Sequence, residues 1–183
     1  MNTTSSMTKK AVIGTAVSIF LILLDQLTKV LALQFLKDQE PLVLIPGVFE
    51  LRYLENRGAA FGILQGKKTF FVVFTLIILA VLVYLFLKKI PMQKRFFFMN
   101  AICLLFFAGA IGNFIDRVMR NYVVDFFYFS LIDFPIFNVA DIYVTVAAFA
   151  MILFGLFYYK EEDFNRFVCI YKYLALKRFV DRW

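Results

Sequence analysis

The sequence predicts an all-α membrane protein: four transmembrane helices, both termini cytoplasmic, and a small extracytoplasmic β-like cradle. Three observations carry that expectation. Apolar residues make up 62% of the 183 positions and charged residues 18%, against about 45–50% and 25% in soluble domains. A soluble domain of this size has too little interior to hide so many apolar side chains, 25 Phe among them. Four apolar stretches approach the length of about 20 residues that a bilayer span needs.

The first stretch runs from about Ala11, after Lys9-Lys10, to Leu36, and is interrupted by Asp25 and Lys29. Lys9-Lys10 before an apolar run could open a secretory signal peptide. A polar Asp25-Gln26-Leu27-Thr28-Lys29 follows in place of a small-residue cleavage site, so the stretch reads as a retained helix. Met7 is an alternative start. The second span, 70–87, carries no charge and is bracketed by Lys67-Lys68 and Lys88-Lys89. The third covers 96–115 and the fourth 136–159, the latter with one charge, Asp141. Between the first two, residues 42–54 form two strand-like runs around Pro46-Gly47. Residues 122–129 (YVVDFFYF) are too short to span and too apolar to be solvated, which places them at the membrane interface. These boundaries define one membrane domain, 1–160, and a basic cytoplasmic tail, 161–183.

The formal charge of +7 sits unevenly. Twelve Lys and Arg lie at the amino end, in the link 88–95 and in the tail from 160, against seven in the other two loops. By the positive-inside rule both termini are cytoplasmic and the two longer loops face outward. The charge thus reads as membrane orientation, with no nucleic-acid partner implied. The tail's basic and aromatic mixture fits a segment lying on anionic lipid.

With no histidine in the chain, Ser-His and Cys-His catalysis and His-ligated metals are excluded. Cys103 and Cys169 form no CxxC pair. What remains is a set of polar residues that the topology gathers near the outer leaflet. Asp25 lies roughly 21 Å along its helix from Ala11, with Lys29 four residues on in the favourable order for an ion pair. Such a pair could simply ease the helix out of the membrane. Gly109, Ala110 and Gly112 permit close helix contact ahead of Asn113 and Asp116. Asn138 and Asp141 repeat the N-x-x-D spacing at the start of the fourth span, where Asn138 could also be a plain helix cap. Asn56 to Gly62 (NRGAAFG) is a small-residue segment that would also serve as a turn.

Two carboxylates sharing a proton can activate water for peptide hydrolysis without histidine. Asp141 is one candidate, and its partner is Asp116 or Asp125. Arg117 and Arg120 beside Asp116 would keep it ionised, whereas Asp125 has no cation nearby in sequence and desolvation would raise its pKa. That comparison favours Asp125. A small proton-coupled transporter using Asp25 and Asp141 is the rival from another class, but its polar groups would sit near the midplane. A presenilin-like intramembrane protease would need a GxGD motif that is absent.

Five blocks together, DQLTK at 25–29, NRGAAFG at 56–62, GNFIDR at 112–117, VVDF at 123–126 and FNVAD at 137–141, resemble the lipoprotein signal peptidases (signal peptidase II) in order and spacing. The resemblance implies a bacterial inner-membrane aspartic endopeptidase, active at the outer face. It would remove the signal peptide of a prolipoprotein ahead of a diacylglyceryl-modified cysteine, without cofactor or metal and as a monomer surrounded by membrane lipid. Carried over by motif, it implies Asp125 and Asp141 as the catalytic pair. Asp25, Lys29, Asn56, Gly58, Asn113, Asp116, Arg117, Asn138 and Ala140 would then bind substrate or support the site. The departures are Ala108 where a Gly is common, Asn121 for the Gly usual before VVDF, and Ile142-Tyr143 where smaller residues are common. Asn tolerates the left-handed backbone that such a turn requires.

Overall fold

The computed structural model describes residues 3–58 and 68–163, with side chains from Met7 onward. The small-residue positions 59–62 and the tail 164–183 lie outside the described residues. Those described form α1 (Thr3–Phe35), β1 (Leu42–Ile45), β2 (Phe49–Asn56), α2 (Lys68–Tyr84), α3 (Phe97–Met119), β3 (Val123–Tyr128) and α4 (Val139–Phe157). A π-helical turn, Leu85–Lys89, extends α2. Met7–Phe35, Lys68–Lys89, Lys94–Met119 and Val139–Phe157 are each long and apolar enough to cross a membrane.

The spans differ in length from the sequence expectation at their polar ends. α1 begins at Thr3 rather than Ala11, because Ser, Thr and Lys are tolerated on a helix beyond the hydrocarbon. α3 continues through Asp116 and Arg117 to Met119 because those charges find buried partners. α4 starts only at Val139, so Asp141 stands in its first turn rather than a full turn below the start. Large apolar side chains all along α1, α2 and α4, such as Phe20, Ile77 and Phe149, are exposed, as a lipid solvent permits.

Burial concentrates at the two ends. At one, Ala32 and Leu36 of α1 pack on Val124 and Phe126 of β3. At the other, Ile90, Phe96, Cys103 and Tyr159 form a second cluster. There the Lys10 ammonium donates to the carbonyls of Phe86 and Ile90, groups that the end of a helix leaves unpaired.

The three strands make one antiparallel sheet in the order β1-β2-β3. Gly47 turns β1 into β2 with φ of 71°, a backbone angle that glycine adopts without a Cβ penalty. Residues 122–129, expected as an interfacial segment, supply β3. Val123, Val124, Asp125 and Phe126 are all buried, because pairing with β2 on one edge satisfies a backbone that lipid could not. Phe137 completes the other edge: its carbonyl accepts from Phe126 N (3.0 Å) and Phe127 N (2.8 Å). This bridge sets the start of α4 directly beside Asp125.

Asn121 takes φ of 67° between α3 and β3, so the turn survives the replacement of glycine, as expected. The Lys68 ammonium donates to its Oδ1 at 2.5 Å.

α3 approaches α1 and α4 where side chains are smallest. A Cβ on Gly112 would lie 2.4 Å from Asp25 Oδ2 and 3.1 Å from the Ala140 Cβ; one on Gly109 would lie 2.6 Å from the Ala140 carbonyl oxygen. At Gly155 a Cβ would meet nothing within 4 Å. Gly112→Ala is therefore expected to lower the melting temperature in detergent by several degrees, while Gly155→Ala leaves it unchanged or raised. Equal melting of the two variants would contradict this packing.

Candidate active site

Lys29 is fully buried, and its ammonium lies 3.0 Å from Asp25 Oδ2 on the same helix and 3.2 Å from Asp116 Oδ2 on α3. It also donates to Asn113 Oδ1 at 2.9 Å. Arg120 pairs with the other oxygen of Asp116, so two cations and two carboxylates balance. A buried charge is tolerated when it is paired and its remaining donors are satisfied. The expected Asp25–Lys29 pair is thus present, but it binds helices together rather than easing α1 out of the bilayer.

Each carboxylate also anchors backbone. Asp25 Oδ1 accepts from Ala140 N at 2.9 Å, one of the N–H groups that open α4 and lack an intrahelical partner. Asp116 Oδ2 accepts from Val124 N at 3.1 Å, which ties α3 to the strand that carries Asp125. This explains why Asp116 is committed elsewhere. Its neighbour Arg117 does not pair with it: the guanidinium reaches the carbonyls of Asn113 and Gly58, each at 3.4 Å, and lies over the Phe71 ring.

Asn138 caps α4, and the cap is part of the site. Its Oδ1 accepts from Asp141 N and its own N–H donates to Asp141 Oδ2, both at 3.1 Å, a reciprocal capping box. Its amide Nδ2 then donates to Asp125 Oδ1 at 2.5 Å. One residue therefore touches both of the proposed catalytic carboxylates.

The same logic holds at three amides. Asn56 Oδ1 accepts from Gly58 N at 3.0 Å, so its Nδ2 donates to Asp125 Oδ2 at 2.9 Å. Asn113 Oδ1 is held by Lys29, so its Nδ2 donates to Asp141 Oδ1 at 2.8 Å. An amide has one acceptor end and one donor end. Engaging each oxygen with a fixed N–H turns every NH2 onto a carboxylate. Asp116 lies three residues from Asn113 on the same helix, within reach of its amide. The fold sends its amide across to Asp141 instead, because Lys29 already occupies Asp116.

Asp125 is 1% exposed. Burial, together with the nearby charge of Asp141, pushes its pKa up to about 7, against the opposing pull of the Asn56 and Asn138 amides. Asp141 is half-buried at the first turn of α4. The structure thus gathers Asp25, Lys29, Asn56, Gly58, Asn113, Asp116, Arg117, Asp125, Asn138, Ala140 and Asp141 around one end of the bundle. It adds two residues that sequence reasoning had left out of the site. Gln26 donates to Asp25 Oδ2 and to the Gly112 carbonyl, and Arg120 closes the ion cluster. A polar residue inside a span is the signal that would have marked Gln26. Of the two departures beyond Asp141, Ile142 is 38% exposed, while buried Tyr143 reaches back to the Leu21 carbonyl on α1. Neither contacts the carboxylates through these bonds.

The family model for signal peptidase (SPase) II matches residues 17–157, a stretch that contains every one of these side chains. The chain belongs to the signal peptidase II family. Signal peptidase II relatives include the lipoprotein signal peptidases of Staphylococcus aureus strains MRSA252 and JH9, 44% and 43% identical over 151 residues. Those alignments cover 80% of this chain and 91% of each relative. Two solved bacterial membrane enzyme structures, at 2.3 Å and 1.9 Å resolution, superpose with a TM-score of 0.71. They are 40% and 39% identical, covering 79% and 80% of this chain and 87% and 94% of theirs. Four apolar helices in a signal peptidase II fit a multi-pass inner-membrane protein.

Two outcomes are expected. Lys29→Met leaves Asp25 and Asp116 buried with Arg120 as their remaining cation, and should destabilise the protein by about 3–5 kcal/mol, read by denaturant unfolding in micelles. Wild-type stability would contradict the ion cluster as the anchor. Second, the raised Asp125 pKa means the native state holds its proton more tightly than the unfolded chain. That stabilisation is full below about pH 4 and is lost as pH rises through about 7. The melting temperature of the wild type should therefore fall relative to that of Asp125→Asn over this window. A constant gap would place the Asp125 pKa at its ordinary value.

Proposed function

We propose that Asp125 and Asp141 are the catalytic pair of this aspartic peptidase, which removes signal peptides from prolipoproteins as its family does. The observation that carries the reading is the shared amide: Asn138 bonds Asp125 through its side chain and Asp141 through its backbone. The two carboxyls are thus both held to one residue. Asp125 has the pKa to hold the shared proton near neutrality.

In the proposed mechanism a water between the pair gives a proton to Asp141 and attacks the scissile carbonyl carbon. Asp125 gives its proton to the carbonyl oxygen, forming a tetrahedral diol. When the C–N bond breaks, Asp141 returns its proton to the departing nitrogen and Asp125 recovers one from the diol. Every proton is returned, and neither a covalent intermediate nor a cofactor is required. Asp25, Lys29, Asn113, Asp116 and Ala140 hold the frame, while Asn56, Gly58 and Arg117 border the pair and are the groups placed to meet substrate.

The substrate class refines to a prolipoprotein whose cysteine carries diacylglycerol, cleaved before that cysteine. The apolar exposure of α2 and α4 beside the site supports a lipid-borne substrate arriving sideways. Orientation follows the charge count, with both termini cytoplasmic and the sheet and carboxylates at the outer face. The family match ends at residue 157, which supports 1–160 as the peptidase unit and 161–183 as a separate basic tail. Action as a monomer is part of the same proposal.

Purified Asp125→Asn and Asp141→Asn should each process a diacylated prolipoprotein about 10²–10⁴-fold more slowly than wild type on a gel assay. Unlipidated substrate should be cleaved poorly even by wild type. Full processing by either Asn variant would overturn the pair. An inactive Asp116→Asn that still melts like wild type, beside an active Asp125→Asn, would move the second carboxyl to Asp116.

A further inference from the structure

Among the described residues, a gap remains beside the buried cluster at the other end of the bundle. Between α2, α3 and α4 lies a cavity of about 490 Å³, walled by Leu82, Ile102, Phe106, Met151 and Phe154, whereas helix interfaces ordinarily interdigitate with few voids. Gly155 lines it, and a Cβ there would meet nothing within 4 Å. Two lining residues, Leu85 and Met151, are 38% and 54% exposed, so the cavity is open sideways between α2 and α4.

Its polar features lie at one end. Tyr159 is buried there, its hydroxyl already accepting from Met99 N at 3.1 Å. Lys89, half-buried at the end of the π-helical turn, lines the cavity, and its ammonium lies over the Tyr84 ring, 5.8 Å from the centroid. Lys88 and Lys94 are exposed on the same short link, while Arg95 is committed to Asp163 and to the Tyr158 carbonyl, both at 2.7 Å. A slot of this size is large enough for a small ligand. Apolar walls inside a bilayer match an acyl chain, and cations where helices meet the surface match an anionic lipid head.

We propose that this cavity is a second lipid site, distinct from the carboxylate cluster, that takes one acyl chain of an anionic phospholipid with its phosphate at Lys89. The peptidase reading is not needed for it. The position of Gly155 leaves the slot deep enough for the chain, and Lys89 selects the head.

The test is binding of phosphatidylglycerol, phosphatidylcholine and glycerol phosphate to the full-length protein in detergent, followed by native mass spectrometry and thermal melting. Wild type should bind phosphatidylglycerol tightly and melt higher with it than with phosphatidylcholine, and glycerol phosphate alone should have no effect. Lys89→Gln should weaken phosphatidylglycerol about fivefold and leave phosphatidylcholine unchanged. Gly155→Leu, which fills the slot and should fold at least as well, should weaken both lipids. Equal stabilisation by the two lipids, a full response to glycerol phosphate, or wild-type phosphatidylglycerol binding by both variants would each overturn the proposal.

Discussion

The ammonium of Lys29 is the interaction on which the rest of the site depends. A bare cation inside a bundle would be prohibitive, so it draws in whatever can neutralise and solvate it: Asp25 from its own helix, Asp116 and Asn113 from α3. Each partner then has one polar atom left to place. Asp25 places its second oxygen on the first turn of α4 and Asn113 its amide nitrogen on Asp141, while Asp116 gives its second oxygen to Arg120 and lets the oxygen that meets Lys29 also accept from the backbone of β3. From a single buried charge the hydrogen bonds run outward to four elements.

Polarity and close packing require one another here. Gly112 is small because Asp25 passes 2.4 Å from where its Cβ would be, and the buried Ala140 beside it extends the same crossing. Without that approach, Lys29 would meet the carboxylate of α3 through a longer and wetter gap. The sheet contributes from the other side. β3 sits between β2 and Phe137, so Asp125 is buried while the backbone around it stays paired. A carboxyl in that position can keep a proton near neutral pH, and amides aimed at it can still hold it in place.

Several parts of this arrangement were legible along the chain. The four spans and the Asp25–Lys29 pair followed from hydropathy and helix periodicity. The strand at 123–128 did not, since a short apolar run with one Asp looks the same at a membrane interface as in a sheet. Nor did the destination of Asn113: its neighbour Asp116 is three residues away and Asp141 twenty-eight, and local spacing favours the wrong one.

By itself the sequence determined that four stretches are apolar enough to span a membrane and that the chemistry proceeds without histidine, because both are matters of composition and local pattern. Only the tertiary structure decided which way three asparagine amides point and which carboxylates a buried lysine would claim. Those choices depend on donors and acceptors far apart in sequence, 84 residues for Lys29 and Asn113. An amide's orientation is settled by its farther partner as much as by its nearer one.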